Sequence, residues 1–196
     1  MYSSSLAGTP RLRHHHDNNA QRPEIIHVVQ KNNSEAEIRQ AMPAVYPRLW
    51  RYALSLTARR DWAEDLAQST CLRAIEKADS FESGTHVDRW MFRMMHHLWI
   101  NELRKQKVRT GSGLVPVEDV GLKDEKPDSE TNIFTAEVLS AVGELPEAQR
   151  ACVMLTYVEG YSYQETAEVL DIPVGTVMSR LSGARKKLAH LKEPTS

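Results

Sequence analysis

The chain is 196 residues long, with 25 Lys and Arg against 26 Asp and Glu, a net charge of −1 and 41% apolar residues. That composition supplies a packed core for one ordinary domain or two small ones, and it excludes a wholly disordered chain. No apolar run approaches the roughly 20 residues that span a bilayer, and Met-Tyr-Ser-Ser-Ser-Leu-Ala-Gly at the start lacks the charge-then-apolar pattern of a secretory signal. A cytoplasmic protein without membrane insertion is expected.

Residues 1–33 are rich in Ser, Asn, Gln, His and Arg and read as a disordered N-terminal arm. Its run His14-His15-His16 is three ligands on a flexible segment, and His96-His97 are adjacent on a helix and point apart, so no metal or cofactor is expected. Helical periodicity begins near Ser34, with Leu49, Ala53 and Leu56 on one face, and Pro43 and Pro47 imply a kink or a late start. A second helix begins at Asp61, with Glu64 in the spacing of a capping box. Its stripe is Ala63, Leu66, Ala67, Thr70, Cys71, Ala74, Ile75 and Ala78. Cys71 and Cys152 both fall on apolar stripes and read as small core residues of a reduced protein.

A break at 79–85 holds Gly84 and one isolated aromatic, Phe81. A third helix from Val87 to Gln106 carries Trp90, Met91, Phe92, Met94, Met95, Leu98, Trp99, Ile100 and Leu103, too many apolar residues for one stripe. Aromatics interleaved with Arg and Lys suit a surface that stacks unpaired bases and holds phosphates. Gly, Pro and acids then dominate up to Asn132. This is an acidic, flexible linker. The expected architecture is all-α, with two small helical domains at 34–108 and 133–192 joined by the linker at 109–132.

The second domain opens with a helix through Phe134, Val138, Leu139 and Val142, and continues with one from Pro146 carrying Ala148, Cys152 and Leu155. Ser162 to Leu188 then reads as a helix-turn-helix. Ser162 and Glu165 have capping-box spacing, Asp171-Ile172-Pro173 breaks the first helix, and Val177, Leu181, Ala184 and Leu188 form the core stripe of the second. From Ile172 to Lys192 there are only bases among the charged residues: Arg180, Arg185, Lys186, Lys187 and Lys192. In a chain whose charges otherwise balance, that favours a surface facing phosphates.

Three stretches in the second half carry a family resemblance: Leu-Pro-Glu-Ala-Gln-Arg at 145–150, Gly-Tyr-Ser-Tyr-Gln-Glu-Thr-Ala from Gly160, and Pro-Val-Gly-Thr-Val-Met-Ser-Arg-Leu from Pro173. Together they resemble region 4 of bacterial sigma factors of the extracytoplasmic-function (ECF) type. Ala63-Glu-Asp-Leu-Ala-Gln-Ser-Thr-Cys-Leu-Arg-Ala and Arg89-Trp-Met-Phe-Arg, ending in Asn101-Glu-Leu-Arg-Lys, resemble region 2 of the same family. The resemblance implies a transcription initiation factor that binds core RNA polymerase, recognises and melts promoter DNA, and is controlled by an anti-sigma factor.

Carried onto this chain, the resemblance places Thr176, Met178, Ser179, Arg180, Ser182, Arg185 and Lys186 at the upstream (−35) element. It places Phe81, His86, Arg89, Trp90 and Arg93 at the downstream (−10) element, where a base is extruded and held. It places Asp65 and Gln68 on core polymerase. Asp171 stands where the family's turn often has Gly, and Met178 where many relatives have Lys or Arg. No catalytic constellation is present, so an enzyme is not expected. A conventional DNA-binding regulator shares only the C-terminal module, and a response regulator would show βα alternation in its N-terminal half; this half is helical throughout.

Overall fold

The computed structural model describes residues 23–110 and 141–189, with side chains described for 32–109 and 141–189. The expected arm before Pro23 with His14–His16, nearly all of the expected linker, and the helix expected through Phe134, Val138 and Leu139 lie outside the described residues. Every regular element among the described residues is helical.

Helix α1 spans Pro23–Thr57. It starts well before Ser34, where sequence periodicity places it, and it runs through both Pro43 and Pro47. The two prolines are four residues apart and exposed, so the carbonyls they leave without a donor lie along one water-facing edge. The opposite edge holds Ile38, Val45, Leu49, Tyr52, Ala53 and Leu56 in the core. Ala58, in left-handed geometry at φ 55°, closes α1.

Helix α2 (Arg60–Glu76) follows at once. The capping box expected from Asp61 and Glu64 does not form. The cap position is Arg59, without a side-chain bond, because the two helices meet too closely for a separate capping residue. Asp61 instead pairs with Arg59 and accepts from the Trp62 N–H, while Glu64 accepts from Gln68. The stripe itself is as expected: Ala63, Ala67, Thr70, Cys71 and Ala74 are buried.

A single 3-10 turn, Ala78–Ser80, leads into helix α3 (Val87–Thr110). The surplus of apolar residues on α3 has a packing explanation. Met91, Phe92, Met95 and Trp99 are buried, and Trp90, Met94, Ile100 and Leu103 pack half-buried against the same core. Helices α1 and α2 take one side of α3, and α5 of the C-terminal half takes another. An amphipathic helix needs one stripe, whereas a helix covered on two sides needs two.

The C-terminal half consists of α4 (Glu147–Val153), a π-helical turn at Met154–Val158, α5 (Tyr163–Leu170) and α6 (Val174–Leu188). Both bonds of the Ser162–Glu165 capping box are made, at 3.2 and 2.9 Å. Asp171 turns the chain in left-handed geometry, φ 55° and ψ 49°, a conformation short polar side chains tolerate better than most. Val177, Leu181 and Ala184 close the core of the helix pair.

Phe92 sits at the centre of the joint core, fully buried, with Tyr52 of α1 at 5.4 Å and Tyr161 of the C-terminal half at 5.7 Å between ring centroids. Phe92→Ala removes a ring that both halves share and is expected to cost ~3–5 kcal/mol of unfolding free energy. Denaturant titration followed by circular dichroism measures it.

Candidate nucleic-acid interface

Helix α6 presents two different faces. Met178, Ser179, Ser182, Arg185 and Lys186 are exposed and lie together on its outer side, with Met178 the most prominent apolar residue at 53% exposure. Ser179 spends its hydroxyl proton on the Thr176 carbonyl at 3.0 Å, which leaves it an acceptor outward. Thr176 and Arg180 are half-buried and one turn apart on the flank. Arg180 there acts on Glu147, Cys152 and His96. Burial pushes the Glu147 carboxyl and the Cys152 thiol up, and the Arg180 charge opposes both. Seven residues expected at DNA thus divide into five on one outer face and two turned toward the protein.

The downstream-element residues are brought together by α3 and the loop before it. Phe81 is buried, with its ring 5.2 Å from that of Trp90, so the solvent-facing part of this loop is residues 82–86. His86 is exposed, and its carbonyl accepts from the Trp90 N–H at the start of α3. Arg89 lies 3.3 Å from Glu165 and 3.9 Å from Glu168, and Arg93 lies 3.5 Å from Asp171. The two arginines expected at promoter DNA therefore face three acids of the helix-turn-helix. Arg89 and Glu165 are half-buried at the edge of the contact, whereas Glu168, Arg93 and Asp171 are exposed, and pairs with such access to water are screened and exchangeable.

A tighter group lies beside them. Arg48 of α1 donates to Glu159 at 2.6 Å and to Asp88 at 3.1 Å, and Tyr161 donates to Asp88 at 2.8 Å. The Glu159 side chain is only 1% exposed and also meets Arg51 at 3.4 Å. Burial pulls the Arg48 guanidinium down, but the bonds to Glu159 and Asp88 outweigh it, so Arg48 is held firmly charged. Burial and the bond to Asp88 raise the Tyr161 hydroxyl and keep it a donor.

Asp65 and Gln68 are exposed on the outer side of α2, and Leu72 stands on the same side at 64% exposure. Sequence reasoning passed over Leu72. Its signal was present: it is a large apolar residue off the Ala63–Ala67–Cys71–Ala74 stripe, at a spacing of seven from Asp65. Ser34 and Glu37 on α1 were also missed, because their partners lie in the 81–84 loop, far along the chain.

Two outcomes follow. Arg48→Ala leaves Glu159 with only Arg51 in a buried place and is expected to weaken the contact between the halves by about 2–3 kcal/mol; small-angle scattering of the full chain registers a larger radius of gyration. The second concerns His96, which is buried and has its Nδ1 3.2 Å from the Tyr52 hydroxyl. Burial, then the charges of His97 and Arg180, push His96 down to about 4 from the ordinary 6.5. Between those values the unfolded chain binds the extra proton, so stability present above pH 6.5 is lost as pH falls toward 4. His96→Gln flattens that part of the stability profile, by up to about 3 kcal/mol at its lower end, as denaturation midpoints across this range measure.

Comparison with known proteins identifies the two halves. Residues 43–109 match the family model for sigma-70 region 2, and residues 135–188 match that for sigma-70 region 4. The chain is 32% identical over 160 residues to the ECF RNA polymerase sigma factor EcfG of Rhodopseudomonas palustris, covering 79% of this chain and 84% of that one. It is 34% identical over 145 residues to SigM of Mycobacterium tuberculosis, covering 74% and 71%. Among solved structures it is similar to the sigma factor RpoE of Bartonella quintana, determined in complex with the anti-sigma factor NepR, with a TM-score of 0.64, 29% identity and coverage of 82% and 99%. CnrH, determined with the cytosolic domain of CnrY, shares the fold at a TM-score of 0.60, 22% identity and coverage of 88% and 97%. With region 2 and region 4 matched in that order and relatives above 30% identity matched over most of their length, the chain belongs to the ECF RNA polymerase sigma factors.

Proposed function

We propose that this sigma factor directs core RNA polymerase to promoters through two DNA surfaces, of which the downstream one has its arginines held by acids of the C-terminal half in the free protein. The observation that carries the reading is the pairing of Arg89 and Arg93 with Glu165, Glu168 and Asp171. Carboxylates 3.3–3.9 Å from arginines stand where phosphates stand in a protein–DNA contact. DNA and these acids therefore compete for the same guanidinium groups, and promoter binding requires the halves to part.

In this reading the outer face of α6 meets the upstream element. Met178, Ser179 and Ser182 lie against base edges, and Arg185 and Lys186 against phosphates. Arg180 and Thr176 join them once the flank toward Glu147 and His96 is freed. Residues 82–86 hold an extruded base at the downstream element, and Arg89 and Arg93 hold the strand beside it. Trp90, with Phe81 buried against it, braces the loop from below. The outer side of α2, with Asp65, Gln68 and Leu72, binds core polymerase. The acidic linker joins region 2 at 34–108 to region 4 at 133–192, and the protein acts in the cytoplasm and catalyses no reaction itself.

An anti-sigma factor is the expected regulatory partner, as NepR is for the Bartonella protein. Such a partner holds the halves together and keeps both DNA surfaces covered. A conventional regulator acting without polymerase lacks a use for the region 2 domain.

Run-off transcription with bacterial core polymerase and genomic upstream fragments tests the function; discrete start sites dependent on this chain are expected, and no new start sites together with no binding to core polymerase would refute it. Lys186→Ala is expected to weaken promoter binding uniformly across sequences and to lower the salt dependence by about one phosphate contact. Arg180→Ala is expected to reduce transcription that depends on the upstream element, which upstream-element variants in the same assay reveal.

A further inference from the structure

The loop read above as holding an extruded base is fastened to α1 by one carboxylate. Glu37 accepts from the Gly84 N–H, with its two oxygens at 3.2 and 3.1 Å, and from the Ser83 hydroxyl at 2.5 Å. One turn earlier, the buried Ser34 hydroxyl donates to the Phe81 carbonyl at 3.2 Å. Residues 82–86 are otherwise exposed, and Gly84 adopts φ +83° with open space where a Cβ would stand. A carboxylate beside a DNA-binding loop repels phosphates, and Glu82 adds a second acid there. What such a loop admits is the neutral edge of a base rather than the sugar–phosphate backbone.

The direction of the hydrogen bonds then decides which base. A carboxylate and a carbonyl only accept, so Ser83 must give its proton to Glu37, and Thr85 gives its own to the Glu82 carbonyl at 2.6 Å. Both loop hydroxyls are left presenting lone pairs. Cytosine, adenine and guanine carry exocyclic amino donors that meet lone pairs, whereas thymine has none and offers a single ring N3–H between two carbonyl oxygens.

We propose that Glu37 is a positioning residue for promoter melting: by fastening Ser83 and Gly84 to α1 it fixes the loop and turns its hydroxyls into acceptors, so that the loop selects an extruded base with an amino group over thymine. This rests on the reading that residues 82–86 meet an extruded base.

The test uses holoenzyme made from the full chain and core polymerase, on a duplex promoter found by the run-off assay and randomised across its downstream element. Open complexes are recovered and sequenced. With the native chain, thymine is depleted at one position by about tenfold, the scale of one base-edge hydrogen bond. Glu37→Ala frees the Ser83 proton and brings thymine back at that position, with core affinity and thermal midpoint unchanged. Glu37→Gln keeps one acceptor oxygen and gives an intermediate profile. A uniform fall on all sequences with the base profile intact would mean a merely structural role and would overturn the proposal. If Thr85→Ala or His86→Ala alters the base profile and Glu37→Ala does not, Glu37 is not the positioning residue although the loop does read the base. If no variant alters it, the loop does not read the base, and the proposal falls with that reading.

Discussion

The arrangement of this molecule depends on a buried carboxylate and the arginine that meets it from the other half. Glu159 leaves the π-helical turn of the C-terminal half with its side chain 1% exposed, and Arg48 of the N-terminal half meets it at 2.6 Å. A charge taken out of water requires a partner with good geometry. Arg48 fills that role while also binding Asp88 and lying over the rings of Phe92 and Tyr161, 5.5 and 5.9 Å from their centroids. One guanidinium thus joins α1, α3 and the turn before α5. The aromatic stack of Tyr52, Phe92 and Tyr161 is the apolar counterpart of the same junction.

Around this junction the contacts weaken outward. Arg89 and Arg93 meet Glu165, Glu168 and Asp171 at 3.3–3.9 Å, with Arg89 and Glu165 half-buried and the other three side chains largely in water. Pairs of that kind are screened by salt and contribute little to stability. On the proposed function, they set which charges DNA must displace. Glu165 serves twice: it caps α5 through Ser162 and faces Arg89, and the capping bonds hold its carboxyl below the usual range before the arginine adds to the effect. A local device of helix formation has become part of the contact between domains.

Much of this was legible in the sequence where the signal is local. The capping box at Ser162, the helix break at Asp171 and the stripe from Val177 to Ala184 are read from neighbours within a turn or two, and all three are present. The excess of apolar residues on α3 was visible as well, but not its cause, because a second covering element is a tertiary fact. The capping box at Asp61 failed for a local reason: α1 closes at Ala58 in left-handed geometry and α2 begins at Arg60, so Arg59 takes the cap position. The start of α1 was misplaced because the stretch before Ser34 is polar and offers little periodicity. For the site, the outer face of α6 follows from helical spacing. The inward turn of Arg180, the burial of Phe81 and the bond of Glu37 to the 83–84 loop join residues far apart in the chain, and a single sequence does not report such pairs.

On the proposed function, the two halves close on each other in the free protein, with Arg89 and Arg93 held by Glu165, Glu168 and Asp171, and they separate in use. Energy transfer between dyes on the outer sides of α2 and α6 measures this directly, in the free chain, with core polymerase, and with polymerase and promoter. High transfer in the free chain that drops in the promoter complex is the predicted result. Transfer that stays the same throughout would contradict the account, since Arg89 and Arg93 cannot hold α5's acids and the promoter strand at once.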